Sequence, residues 1–170
     1  MGSNDTRGWT VKKSTTPNTD WQRIWFSARH RDWSSLALVP SDASVDVNRM
    51  ADMLATTGRL HGERPVSVVN ATGVQLEAVQ QIVDSIAKII NHGERVIVPV
   101  DPVADNPAAI AILRACSAAV LVVSLGQSLL ASAETTIEIV DREKFIGGVV
   151  LEQDSPKKRS ARLETAQVEV

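Results

Sequence analysis

The chain contains no tyrosine, one cysteine and two phenylalanines. It also has no apolar run near the ~20 residues that a bilayer-spanning helix needs. Each scarcity closes off a class of function. Without tyrosine, this chain offers no phenolic hydroxyl for modification or catalysis. A lone Cys116 forms no intrachain disulfide, which suits a reducing compartment. The first residues show no basic-then-apolar leader, so the expectation is a cytoplasmic protein with no transmembrane segment. No GxSxG elbow, GxGxxG turn or CxxC pair occurs, and each of those motifs supplies a geometry that is hard to build otherwise.

What is present is the composition of a soluble globular domain, with 44% hydrophobic and 22% charged residues. A chain of 170 residues fits one domain and buries roughly two-thirds of its unfolded surface. The net charge of −2 is unevenly spread. Residues 1–35 hold six Lys/Arg against three acids, residues 36–153 eight against fourteen, and residues 154–170 four against three. The acidic centre argues against nucleic acid as a partner, because a phosphate backbone requires clustered cations.

Residues 1–19 are polar without hydrophobic period and read as a flexible tail; residues 20–153 read as a single α/β domain and residues 154–170 as a polar tail. In DWQRIWFSARHRDW, Trp21, Ile24, Trp25 and Ala28 recur at helical spacing. That helix buries aromatic surface against either the domain's own flank or a partner, Trp and Arg being enriched at binding hot spots. Leu36–Val39 reads as a strand. Val47, Met50, Ala51 and Leu54 follow as one face of a helix ended by Gly58. Val66–Val69 is the next strand, after which Thr72 and Gln75 form a capping-box pattern before a stripe from Leu76 to Ile90. Val96–Val100 and Ala119–Val123 are short β-branched runs suited to strands covered on both faces. Asn106 and Pro107 supply an N-cap and an N1 proline for the helix between them. Leu129, Leu130, Ala133, Ile137 and Val140 give a last helix, and Gly148–Leu151 a fifth strand. Strands alternating with helices predict a parallel sheet covered on both sides.

Ligands of such sheets sit at the carboxyl ends of the strands. The loops expected there carry Asp42, Asn70, Thr72, Asp101, Asp105, Glu152 and Asp154 but no Lys or Arg, whereas a nucleoside triphosphate requires a lysine, a glycine-rich nest and a metal held by Ser/Thr and Asp. Ser41–Asp42 and Asp101–Asp105 fit an acid/base or metal pair, and fit turn and cap chemistry equally well. Cys116 reads as a small core residue rather than a nucleophile. His30, His61 and His92 have no metal-site spacing.

The run from Val96 to Glu152, with Pro102, Pro107 and the strand Gly148-Val149-Val150-Leu151, resembles the second half of the MinD/ParA-type P-loop proteins, in particular the bacterial tyrosine kinases of polysaccharide export. The resemblance implies a three-layer α/β sandwich with a mostly parallel five-stranded sheet and P-loop NTPase-like topology. In that frame the phosphate-loop lysine falls on Val47, the paired aspartates of the second strand on Asn70 and Thr72, and the Walker B aspartate on Pro99. With Asp42 and Asp101 these mark a vestigial strand-end edge that holds no cofactor, metal or catalytic residue. The family's Glu-x-x-Arg-x-x-Arg assembly helix matches Asp20, Arg23 and Phe26 in part. The implied function is a pseudo-NTPase scaffold in bacterial exopolysaccharide biosynthesis or secretion. It would act through Trp21, Arg23, Trp25 and Phe26 on a membrane-associated export or synthase component, or on a second copy of itself, at the cytoplasmic side of the inner membrane. The competing expectation is a MinD/ParA-like ATPase with an unorthodox phosphate loop.

Overall fold

The computed structural model describes residues 8–12 and 19–152. Its elements run β1 (Gly8–Lys12), α1 (Thr19–Arg29), β2 (Ser35–Pro40), α2 (Val47–His61), β3 (Val66–Val68), α3 (Val79–Asn91), β4 (Arg95–Pro99), α4 (Pro107–Ala115), β5 (Ala118–Ser124), α5 (Leu130–Ile139) and β6 (Phe145–Glu152), with 3₁₀ turns at Leu76–Ala78 and Arg142–Lys144. The strands form one sheet in the order β1-β6-β5-β2-β4-β3, every neighbouring pair parallel. This is a three-layer α/β sandwich of P-loop-type topology.

Strand alternation splits the core into two halves, because successive side chains leave opposite faces of a sheet. On β2, Leu36 and Leu38 point into a half built with Trp21, Ile24 and Trp25 of α1 and Met50 and Leu54 of α2. Ala37 and Val39 point into the other, built with Ile86 of α3 and Ala109, Ile112 and Leu113 of α4. The chain moves from β2 outward to β3, returns to β4, then passes β2 to reach β5 and β6. Crossovers of one hand therefore send α2 to one face and α3 and α4 to the other.

Four expectations are corrected. Gly8–Lys12, assigned to a flexible tail, is an edge strand paired with β6 from Gly8↔Gly148 to Lys12↔Glu152, which makes six strands instead of five. Its alternating pattern, Trp9 and Val11, is too short to register as a period. Gly58 does not end its helix, which continues to His61. A Cβ on Gly58 would lie 2.6 Å from the Trp25 ring and 2.9 Å from Val66, so the glycine is there to let α1 and the sheet approach. Thr72 caps no helix; α3 begins at Val79 after the 3₁₀ turn, without a side-chain cap. In α5 the buried residues are Ala133 and Thr136, while Leu129 and Leu130 are 70% and 75% exposed.

Asn106 does cap α4, its Oδ1 accepting from the Ala108 amide at 3.0 Å, with Pro107 at the first position. The other end of α4 is closed by Lys144, whose Nζ donates to the carbonyls of Cys116 at 2.6 Å and Arg114 at 3.1 Å. The expected C-terminal tail 154–170 lies outside the described residues.

Candidate functional site

The strand order reverses beside β2, so the loop Ser41–Asp46 between β2 and α2 occupies the switch point where open α/β sheets bind ligands. In this loop the charges are turned inward on the chain. Asp42 Oδ1 accepts from the Ser44 amide at 2.9 Å and from the Ser44 hydroxyl, and Oδ2 accepts from the Ser41 hydroxyl at 3.1 Å. The Ser41 hydroxyl also lies 2.9 Å from that of Ser128, which in turn accepts from the Ser124 amide at 2.9 Å. Partial burial pushes the Asp42 carboxyl upward, but hydrogen bonds from Ser128, Ser44 and Ser41 outweigh it and hold the group down at about 2. Asp46 caps α2, accepting from the Arg49 amide at 3.1 Å. The helix dipole and free N–H groups that favour an anion at a helix start thus face the chain's own carboxylate.

Val47, onto which the resemblance places the lysine, is the first residue of α2 and is buried in the core. The equivalents of the second strand's aspartates are equally occupied: Asn70 Oδ1 accepts from the amide and hydroxyl of Thr72 at 2.9 and 2.8 Å, and Asn48 Nδ2 donates to the Thr72 hydroxyl at 3.2 Å. Pro99 is buried at the end of β4, and its carbonyl accepts from the Ala71 amide at 3.0 Å. Asp101 Oδ2 accepts from the Gly73 amide at 2.7 Å and from Asn106 Nδ2 at 2.8 Å. Gly73 has φ +70, a conformation that side chains strain to adopt. The structure thus gathers Asp42, Asn70, Thr72, Pro99 and Asp101 along one edge, where the polar groups serve turns. Asn106, read only as a helix cap, also ties Asp101 to the carbonyl of Val74 at 3.0 Å. Ser128 joins the first loop from a distant stretch, and no local pattern announces it.

The aromatic helix divides differently. Trp21 and Trp25 are 4% and 1% exposed and belong to the core, so they cannot form the expected partner surface. Trp25 meets Trp33 edge to face, 5.9 Å between centroids, and the Trp33 indole donates to the Ala28 carbonyl at 3.1 Å. Arg23 and Phe26 remain outside, Phe26 47% exposed and 5.8 Å from the His61 ring. Burial pushes the Cys116 thiol up to about 12, which makes it a poor nucleophile. Among the described residues no group of three or more His, Cys, Asp or Glu could hold a metal ion, and no helix is long and apolar enough to cross a membrane.

The fold is found in known structures. The chimerical protein CapA2B2 superposes with a TM-score of 0.68 at 11% identity, covering 86% of this chain and 94% of that one. The BceF tyrosine kinase domain superposes with a TM-score of 0.51 at 12% identity, covering 79% and 74%. The chain shares the α/β fold of both. At such identities the likeness is one of fold, and it agrees with the resemblance read from the strand and proline pattern. No protein-family model matches the chain, and no curated protein matches it.

Proposed function

We propose that this chain is a non-catalytic P-loop-like protein, an accessory or scaffold in bacterial exopolysaccharide biosynthesis or secretion that acts through protein contacts. The observation that carries the non-catalytic reading is the loop Ser41–Asp46. It has no lysine, arginine or glycine, and Asp42 and Asp46 occupy the donors that would otherwise meet a phosphate. A triphosphate brought there would meet two carboxylates with no cation in the loop to balance them. The pathway rests on the family resemblance and on the fold shared with those two structures. Its partner would be a membrane-associated export or synthase component, or a second copy of the chain, met in the cytoplasm through the exposed Arg23 and Phe26 of α1.

The test is thermal unfolding with millimolar Mg-ATP. A ligand held only by the folded state at one hundred times its Kd would add about 2.7 kcal/mol. The expected result is an unmoved Tm, and a saturable rise would overturn the reading and favour instead a nucleotide-binding protein with an unorthodox loop, whose ATPase activity a phosphate-release assay would check.

A further inference from the structure

The opposite, amino-terminal end of the sheet is built from different chemistry. Where α1 ends, α2 gives way to β3, and β4 begins, a cavity of about 70 Å³ is lined by Trp25, Arg29, Gly62, Glu63, Arg64 and Arg95. That is room for a few waters, and hence for one oxyanion group but no larger ligand. Three guanidinium groups from three separate segments border it. Two carboxylates are near: Glu63, exposed and 3.3 Å from Arg29, and Asp32, which acts on Arg95 electrostatically. One positive charge is left over.

Arg95 carries a donor that the described residues leave unmet. Its guanidinium lies over the Trp33 ring, 4.8 Å from the centroid, and its Nη1 is buried with no hydrogen-bond acceptor among the described residues. Trp25, which also lines the cavity and is almost wholly buried, has its indole N–H likewise without an acceptor. Buried donors left unpaired destabilise a fold, and more so when they are charged. Burial first, then the charges of Arg29 and Arg64, press Arg95 below the ordinary arginine range, so the cluster carries repulsion that a bound anion would relieve.

We infer that this cavity is a binding site for a phosphate-class oxyanion, either inorganic phosphate or the phosphate group of a small monoester, held by Arg95, Arg64 and Arg29. Guanidinium groups arriving from a helix, a loop and a strand suit a tetrahedral acceptor better than a planar carboxylate, which a single arginine fork satisfies. The site lies at the end of the sheet away from the phosphate loop, so it stands independently of whether that loop binds nucleotide.

The experiment follows the Trp25 indole N–H signal by NMR while the full chain is titrated with inorganic phosphate at constant ionic strength maintained by chloride. The signal is expected to shift saturably. Arg95→Gln should weaken the midpoint about tenfold or more, the loss of a charged hydrogen bond, and Arg64→Gln, at an exposed side chain, about threefold. Glycerol phosphate binding more tightly than phosphate would identify the monoester as the ligand, and the reverse order the free ion. A signal that does not move, or moves only as the chloride series does, overturns the site. So does a folded Arg64→Gln variant with an unchanged midpoint, and stronger binding of acetate than of phosphate overturns the tetrahedral assignment.

Discussion

The two ends of one parallel sheet handle charge in opposite ways. At the carboxyl end, Asp42, Asp46 and Asp101 are each consumed by amides and hydroxyls within a few residues or across one strand gap. At the amino end, Arg29, Arg64 and Arg95 gather around a cavity, and two buried donors of its lining residues find no acceptor among the described residues. A carboxylate in a turn has backbone N–H groups in reach and can satisfy itself locally. A guanidinium has five donors and no acceptor, and strand starts supply few free carbonyls. In this fold the end expected to bind phosphate is self-satisfied, and unmet donors collect at the other end.

The largest effect that would break this contrast comes from the amino end. Trp25→Ala removes the ring that fills the space over Gly58 and beside Trp33. The variant should lose about 3–5 kcal/mol, read as a lower urea midpoint. That is a large share of the roughly 5–15 kcal/mol of a typical domain. A loss under about 1 kcal/mol would mean that the aromatic layer is not what supports this end.

At the carboxyl end the expected effect is smaller and depends on pH. The Asp42 carboxyl is held at about 2 in the folded chain against 3.8 unfolded. A depressed carboxyl stabilises the folded state above its unfolded pKa, and that contribution is lost as pH falls from about 4 through about 2. With solvent screening the share is about 1 kcal/mol. Asp42→Asn should therefore lower stability at pH 7 by that amount and flatten the acid limb, as measured by denaturation between pH 2 and 7. An unaltered acid limb would show that the loop is not closed by Asp42.

The smallest effect on stability belongs to the surface of α1. Arg23→Glu and Phe26→Ala should each change stability by less than about 0.5 kcal/mol, since Arg23 has only a 3.9 Å contact with Asp20 and such exposed pairs contribute little. Their effect should appear as reduced co-purification of a partner from the native cell. Retained partners in both variants would remove α1 as the contact.

Much of the fold was legible in local pattern. The β-branched runs of β4 and β5 are buried along nearly their whole length, and the pair Asn106-Pro107 starts α4 because capping is settled by neighbours in sequence. The departures have a common cause in distance along the chain. Gly58 looks like a helix stop until Trp25, from another helix, is seen against it. Thr72 has the spacing of a cap, yet Asn70 and Asn48 take its hydroxyl. The aromatic stripe of α1 was correctly located, but burial against its own sheet and exposure to a partner have the same period. Of the edge residues, the lack of lysine and glycine between Ser41 and Asp46 was readable by position, whereas the partners Ser128 and Asn106 come from elsewhere.

By itself, then, the sequence determined the alternation of strands and helices, the parallel sheet and the lack of lysine, arginine and glycine in the loop after β2, because period, capping and residue type act over a few residues. Tertiary structure alone decided that Gly8–Lys12 joins the sheet, that Trp21 and Trp25 lie inside it, and that Arg29, Arg64 and Arg95 surround one cavity. Those outcomes depend on which strand starts and helix ends become neighbours, and strand order has no local signature.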